Sequence, residues 1–117
     1  MIKLQDTVPE KIALAFAHSL ATGEYQAAYE ILSNELRKVL SPSKLKEEYE
    51  NMIEYIDSPL ESSDLVNLLD DWPNKKEQDR GWAYVEFCFD GEVEGIAVII
   101  TQEIDRYVVS EIEWGRP

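Results

Sequence analysis

Few side chains in this sequence are able to do chemistry, and their types narrow the options. His18 is the only histidine and Cys88 the only cysteine among 117 residues. His18 lies two residues after Phe16, about 200° around a helical wheel. It is therefore expected to point away from the Ile12, Phe16, Leu20 stripe, toward the surface. Cys88 sits between Phe87 and Phe89 with no basic neighbour in sequence to favour its thiolate, so a small buried residue is expected rather than a nucleophile. With one thiol and one imidazole, a metal would have to rest on carboxylates. No acidic loop has the oxygen spacing and central glycine of a calcium site, because Lys75 and Lys76 interrupt the run from Asp70 to Asp79. A glycine-rich phosphate loop and a nucleophile elbow are both absent. No cofactor and no metal are expected.

The remaining chemical candidates are acids and aromatics. Glu86, Glu111 and Glu113 fall in stretches that alternate like strands. Were the face holding Tyr84, Glu86 and Glu111 enclosed, burial would raise the carboxyl pKa and suit these groups to proton transfer. On a solvated sheet face the same alternation places acids by default. No second catalytic partner stands at a fixed spacing from them. A different chemistry is open to Asp70, Asp71, Trp72, Glu77, Asp79 and Trp82, where acids lie between two tryptophans. Indole faces rimmed by carboxylates suit the Arg and Lys side chains of a basic partner.

The elements that must position these residues are legible from periodicity. Thr7 and Glu10 form a capping-box pair with Pro9 in the first turn; Ile12, Phe16 and Leu20 follow on one face, and Gly23 is the C-cap candidate. Tyr25, Ala28, Tyr29, Leu32, Leu36 and Leu40 continue a helical stripe. Ser33 and Asn34 interrupt it, which allows two short helices with a kink. Its tyrosines are expected in the wall of a core. Ser41 and Pro42 open a third helix with Leu45, Tyr49, Met52, Ile53 and Ile56 on one side, and Asp57-Ser58-Pro59 is expected to end it. Residues 60–72 fit either a strand or a short helix, and 73–81 read as a polar loop ending at Gly81.

From Trp82 the period becomes two. Val85, Phe87 and Phe89 share one face against Tyr84, Glu86 and Cys88. Asp90-Gly91 predicts a type I′ hairpin. Ile96, Val98 and Ile100 then oppose Gly95, Ala97 and Ile99. Val108, Ser110, Ile112 and Trp114 are expected opposite Tyr107, Val109, Glu111 and Glu113. The result is an α+β fold, three N-terminal helices packed on a curved antiparallel sheet, in a single domain over residues 1–117.

Composition bounds the partners. At 44% hydrophobic and 30% charged, the chain is an ordinary globule rather than a disordered one. Twenty-four acids against eleven bases give a net charge of −13. That charge excludes direct nucleic-acid binding and anionic membrane surfaces, and it steers basic proteins toward the chain. No apolar run approaches the ~18 residues of a membrane span. The opening "MIKLQDTVPEK" lacks the apolar core of a secretory signal, and a lone cysteine suits a reducing compartment, so a cytoplasmic location is expected.

The segment "LATGEYQAAYEILSNELRKVLSPSKLKEEYENM", followed by the strand pattern of 82–114, resembles small members of the NTF2-like superfamily (cystatin-like α+β cone). The resemblance implies helices closing a cone over a curved sheet. Enzymes of this kind carry an Asp–His pair or an acid with an oxyanion partner in the cone, and this chain departs from that pattern. It therefore implies either a non-catalytic interaction module, such as an immunity-type protein for a basic partner, or a small-molecule isomerase, dehydratase or cyclase. In the second case Tyr25, Tyr29, Tyr49 and Tyr84 would line the cone, with Glu86 or Glu111 as the proton-transfer acid. Long strands with one face left uncovered by helices also predict a homodimer.

Overall fold

The computed structural model describes residues 8–115. The order is α1 (Val8–Ala21), α2 (Tyr25–Ile31), α3 (Asn34–Arg37), α4 (Pro42–Met52), β1 (Leu60–Leu69), β2 (Asp79–Phe89), β3 (Glu92–Glu103) and β4 (Arg106–Trp114). The strands form one antiparallel sheet in the order β1-β2-β3-β4, curved and unclosed, and α1 lies across all four of them. The fold is α+β, with the helices on one face of the sheet. No helix among the described residues is long and apolar enough to cross a membrane.

The helices form where their stripes can be buried. Ala13, Phe16, Ala17 and Leu20 are fully buried on α1, and His18 is exposed on the far side. Thr7 of the expected capping box lies outside the described residues, and Glu10 occupies the first turn. Gly23 has φ 79°, a conformation that costs glycine little. It lets Glu24 N–H donate to Ser19 O (2.8 Å) and Gly23 N–H to Leu20 O (3.3 Å), satisfying two terminal carbonyls.

The second stripe breaks in two at Leu32-Ser33, and the break has a tertiary cause. Leu32 bridges to Val109 of β4, and Ser33 N–H donates to Val109 O at 2.8 Å. The Ser33 hydroxyl then accepts from Leu36 N–H at 3.1 Å and starts α3. Ser41 caps α4 in the same way through Lys44 N–H, with Pro42 opening the helix. The helix ends at Met52, before the expected stop at Asp57, because residues 53–55 leave it in turns.

Residues 60–69 form a strand, and its period is hard to read because it is bulged. Its pairing with β2 shifts between Leu60 and Ser62 and again between Leu65 and Asn67. β2 begins at Asp79, so the loop before it is shorter than expected and Gly81 lies inside the strand. The hairpin at Asp90-Gly91 closes Phe89 opposite Glu92, yet only Gly91 has positive φ (79°), which is not the type I′ geometry.

One strand corrects the sequence pattern. Ile99 pairs with Glu111 and Ile100 with Val109, leaving Ser110 as an extra residue. This bulge turns Tyr107 and Val109 to the same face as Ile112 and Trp114, all four packed in or against the core. Val108 and Ser110 face the other way. The helix-covered face is thus built from Ala83, Val85, Phe87, Phe89, Ile96, Val98, Ile100 and Val109.

Candidate functional site

Among the described residues the opposite face of the sheet carries no helix, and its side chains follow from alternation. Trp82, Tyr84, Glu86 and Cys88 of β2 point away from the buried Ala83, Val85 and Phe87. Their neighbours in register are Ile99, Ala97, Gly95 and Val93 of β3. Glu113 and Glu111 of β4 stand next to Ala97 and Ile99. The Tyr84 ring lies so close over Gly95 that a Cβ there would collide with it. What approaches this glycine is the protein's own tyrosine, which is nearly buried as a result.

The loop between β1 and β2 folds back over one end of this face. Lys75 N–H donates to Trp72 O (3.2 Å) and Asp79 N–H to Lys76 O (3.1 Å), and Asn74 takes positive φ (70°). Asp79 holds the loop in place. It is 5% exposed; its Oδ2 accepts from Lys76 N–H at 2.9 Å and its Oδ1 from Thr101 Oγ1 at 2.8 Å. Thr101 Oγ1 stands 2.6 Å from Ser110 Oγ. Since the Thr101 proton goes to Asp79, Ser110 donates to Thr101 in turn. The bulge in β4, the start of β2 and the loop are therefore joined by one chain of hydrogen bonds, buried enough that each bond matters. Arg80 adds bonds to Gln102 Oε1 (3.2 Å) and Glu77 O (2.9 Å).

Between loop and sheet lies a cavity of about 440 Å³, within the range of sites that hold small ligands or inserted side chains. Trp72 and Asn74 wall it from the loop, Trp82 and Ile99 from the sheet, and Glu111 and Glu113 from β4. Lys76 reaches its edge and pairs with Glu111 at 3.7 Å, both side chains well exposed. Lys75 Nζ stands 5.4 Å from the Trp72 ring centre and donates to Asp70 O. A second, more open hollow of about 350 Å³ lies on the helical side of the sheet, between Met52, Glu94 and Trp114.

The structure separates the sequence candidates into two groups on opposite sides of the sheet. Tyr25, Tyr29 and Tyr49 are on the helical side. Tyr49 is buried against Phe87 edge-on, with ring centres 5.3 Å apart, and burial pushes its hydroxyl pKa up to about 12. Burial and the nearby Glu50 also raise Tyr25. Tyr29 carries the Arg37 guanidinium over its ring at 5.6 Å. Tyr84, Glu86 and Glu111 are on the other side, so the six residues expected to line one cone do not converge. Glu86 pairs in register with Asp64 and Gly95, and Glu111 is exposed at the cavity. Cys88 is half-buried on this outer face with its Sγ 3.6 Å from Asp64 Oδ2.

Of the expected partner surface, Trp72, Trp82 and Asp79 meet at the cavity, and Asp70, Asp71 and Glu77 are exposed on the loop. Asp79 belongs to the anchor of the loop rather than to its surface. Sequence reasoning missed Lys76, Asn74 and the Thr101–Ser110 pair. The polar run 73–81 marked a loop, but nothing local marked where that loop would land. Among the described residues no group of three or more His, Cys, Asp or Glu is gathered to hold a metal. The cavity offers indole faces and carboxylates, a combination that binds cations.

No family model matches the chain, and no curated protein matches it. Among solved structures it is similar to a SEC-C motif containing protein from Rhodopseudomonas palustris. The identity is 14%, over 84% of this chain and 71% of that one, with a TM-score of 0.55. The similarity concerns the fold alone.

Proposed function

We propose that this chain is a non-catalytic protein-interaction module of the NTF2-like, cystatin-like kind that binds a basic partner through its acidic outer face. An immunity-type protein neutralising a basic toxin in the cytoplasm is the most concrete form of this reading. The observation that carries it is the cavity in which Trp72 and Trp82 stand beside Glu111 and Glu113, on a chain of net charge −13. Aromatic anchors in a hollow supply affinity, and the surrounding acids supply rate and selectivity.

A homodimer belongs to the same reading. The β4 edge is partly occupied by Leu32 and Ser33, whereas β1 exposes Val66, Leu68 and Leu69 at the other edge, where no described strand pairs with it. The two associations have opposite salt dependence. Binding of a basic partner weakens as salt screens attraction, and self-association of two acidic copies strengthens as salt screens repulsion.

The test is capture of partners on the purified protein at low and moderate salt, followed by reconstitution with the isolated partner. A basic protein that binds one-to-one, loses affinity with salt, and associates more slowly with the Asp70→Lys, Asp71→Lys, Glu77→Lys variant supports the reading. A partner that is acidic, or binding indifferent to both salt and charge reversal, sinks it.

A further inference from the structure

We infer that the Trp72–Trp82 cavity takes one cationic side chain of the partner, an arginine or lysine presented on a loop, and that Lys76 holds its place in the free protein. This rests on the basic-partner reading and names the contact that reading needs.

Three observations lead there. Trp72 already has a cation over its ring, Lys75 Nζ at 5.4 Å, so the molecule itself shows this indole used in cation–π geometry. On the β4 wall Glu111 and Glu113 supply carboxylates, and of these Glu111 has a cation within 4 Å, Lys76 at 3.7 Å. That pair is weak by its setting, because side chains 75% and 57% exposed are screened and lose freedom in pairing. A cation entering the cavity beside the indoles would meet Glu111 and displace Lys76 to solvent at small cost. The buried Asp79 is not the counter-ion, since both its oxygens already accept hydrogen bonds from the loop and from Thr101. At about 440 Å³ the hollow is larger than one side chain, leaving room for the adjoining backbone of a partner loop.

The experiment uses N-acetyl-arginine amide as the cationic probe and N-acetyl-citrulline amide as its neutral isostere, followed through the indole N–H resonances of the full chain. Trp114 packs against the core on the opposite, helical face of the sheet, where it lines the other hollow, and serves as an internal reference. The expected result is that the arginine probe shifts Trp72 and Trp82 but not Trp114, and that citrulline does so at least about tenfold more weakly. Lys76→Gln should tighten arginine binding about threefold, and Glu111→Gln should weaken it by a similar factor. Trp82→Leu should abolish the shifts, with dispersion of the remaining resonances reporting that the fold persists.

Equal binding of the two probes, or an unchanged affinity in Lys76→Gln, overturns the inference. If the arginine probe leaves both indoles unmoved while a basic peptide still binds the wild type in a salt-sensitive way, the cavity inference falls and the basic-partner reading stands. If no basic peptide binds, both fall.

Discussion

The two faces of one sheet are built on different principles. On the helical face, Phe16, Leu20, Leu45, Phe87, Ile96, Val98 and Ile100 exclude water completely, and Tyr49 closes against Phe87. The outer face has no helix among the described residues. It is covered at one end by a loop that a buried aspartate holds down, and farther along by a tyrosine lying over a glycine. Apolar packing fills the centre of the first face. Hydrogen bonds hold the second and leave a hollow. The lesson is that the expected cone and the observed cavity lie on opposite sides of the same strands.

The sharpest way to break the comparison is to remove one large side chain from the filled face. Phe87→Ala should cost about 3–5 kcal/mol in urea unfolding, because the hole between α4 and β2 cannot collapse. Asp79→Ala should cost less, about 1–3 kcal/mol, by stripping Lys76 N–H and the Thr101 hydroxyl of their acceptor. Its local signature is the telling one: hydrogen exchange should quicken in residues 72–79 and stay slow at Val85 and Val98. Uniform loss of protection would mean that the loop is not a separate unit. Gly95→Ala should cost about 1 kcal/mol, the strain of moving the Tyr84 ring offset by reduced freedom of the unfolded chain. That cost should vanish in the Tyr84→Ala background, so additivity in a double-mutant cycle would disprove the contact.

A pH dependence separates the faces as well. Tyr49 titrates near 10.0 in the unfolded chain and is pushed up to about 12 in the fold, so the folded state favours the protonated phenol. Its contribution is therefore complete below pH 10 and is lost as pH rises from 10 toward 12. Tyr49→Phe should flatten the stability curve across that window, measured by denaturant midpoints. An identical slope in the variant would assign the dependence elsewhere.

Much of the fold could be read from particular residues. Ile12, Phe16 and Leu20 marked α1, Gly23 its end, Ser41-Pro42 the start of α4, and Val85, Phe87, Ile96 and Val98 the buried face of the hairpin. The interruption at Ser33 and Asn34 also marked the division between α2 and α3. The site was half legible. Trp72 and Trp82 stood out with their acids, whereas Lys76 was visible only as a charge that spoiled a calcium loop. Glu111 was grouped with Tyr25, Tyr29 and Tyr49, which the sheet separates from it. Alternation tells which residues share a face, but it does not say which face the helices will cover.

What the sequence determined by itself is what local period and backbone chemistry can encode: helix faces, caps, the Asp90-Gly91 turn, and the inward set of β2 and β3. Tertiary structure decided the rest. The bulge at Ser110 reverses half of β4 relative to its own alternation, and the bulges at Leu60–Ser62 and Leu65–Asn67 hide β1 from a period-two reading. The convergence of Trp72, Trp82 and Glu111 depends on a loop held by Asp79 to Thr101, 22 residues away, and through it to Ser110. Those bonds form only once β2, β3 and β4 are paired. No pattern within a short window of sequence carries them.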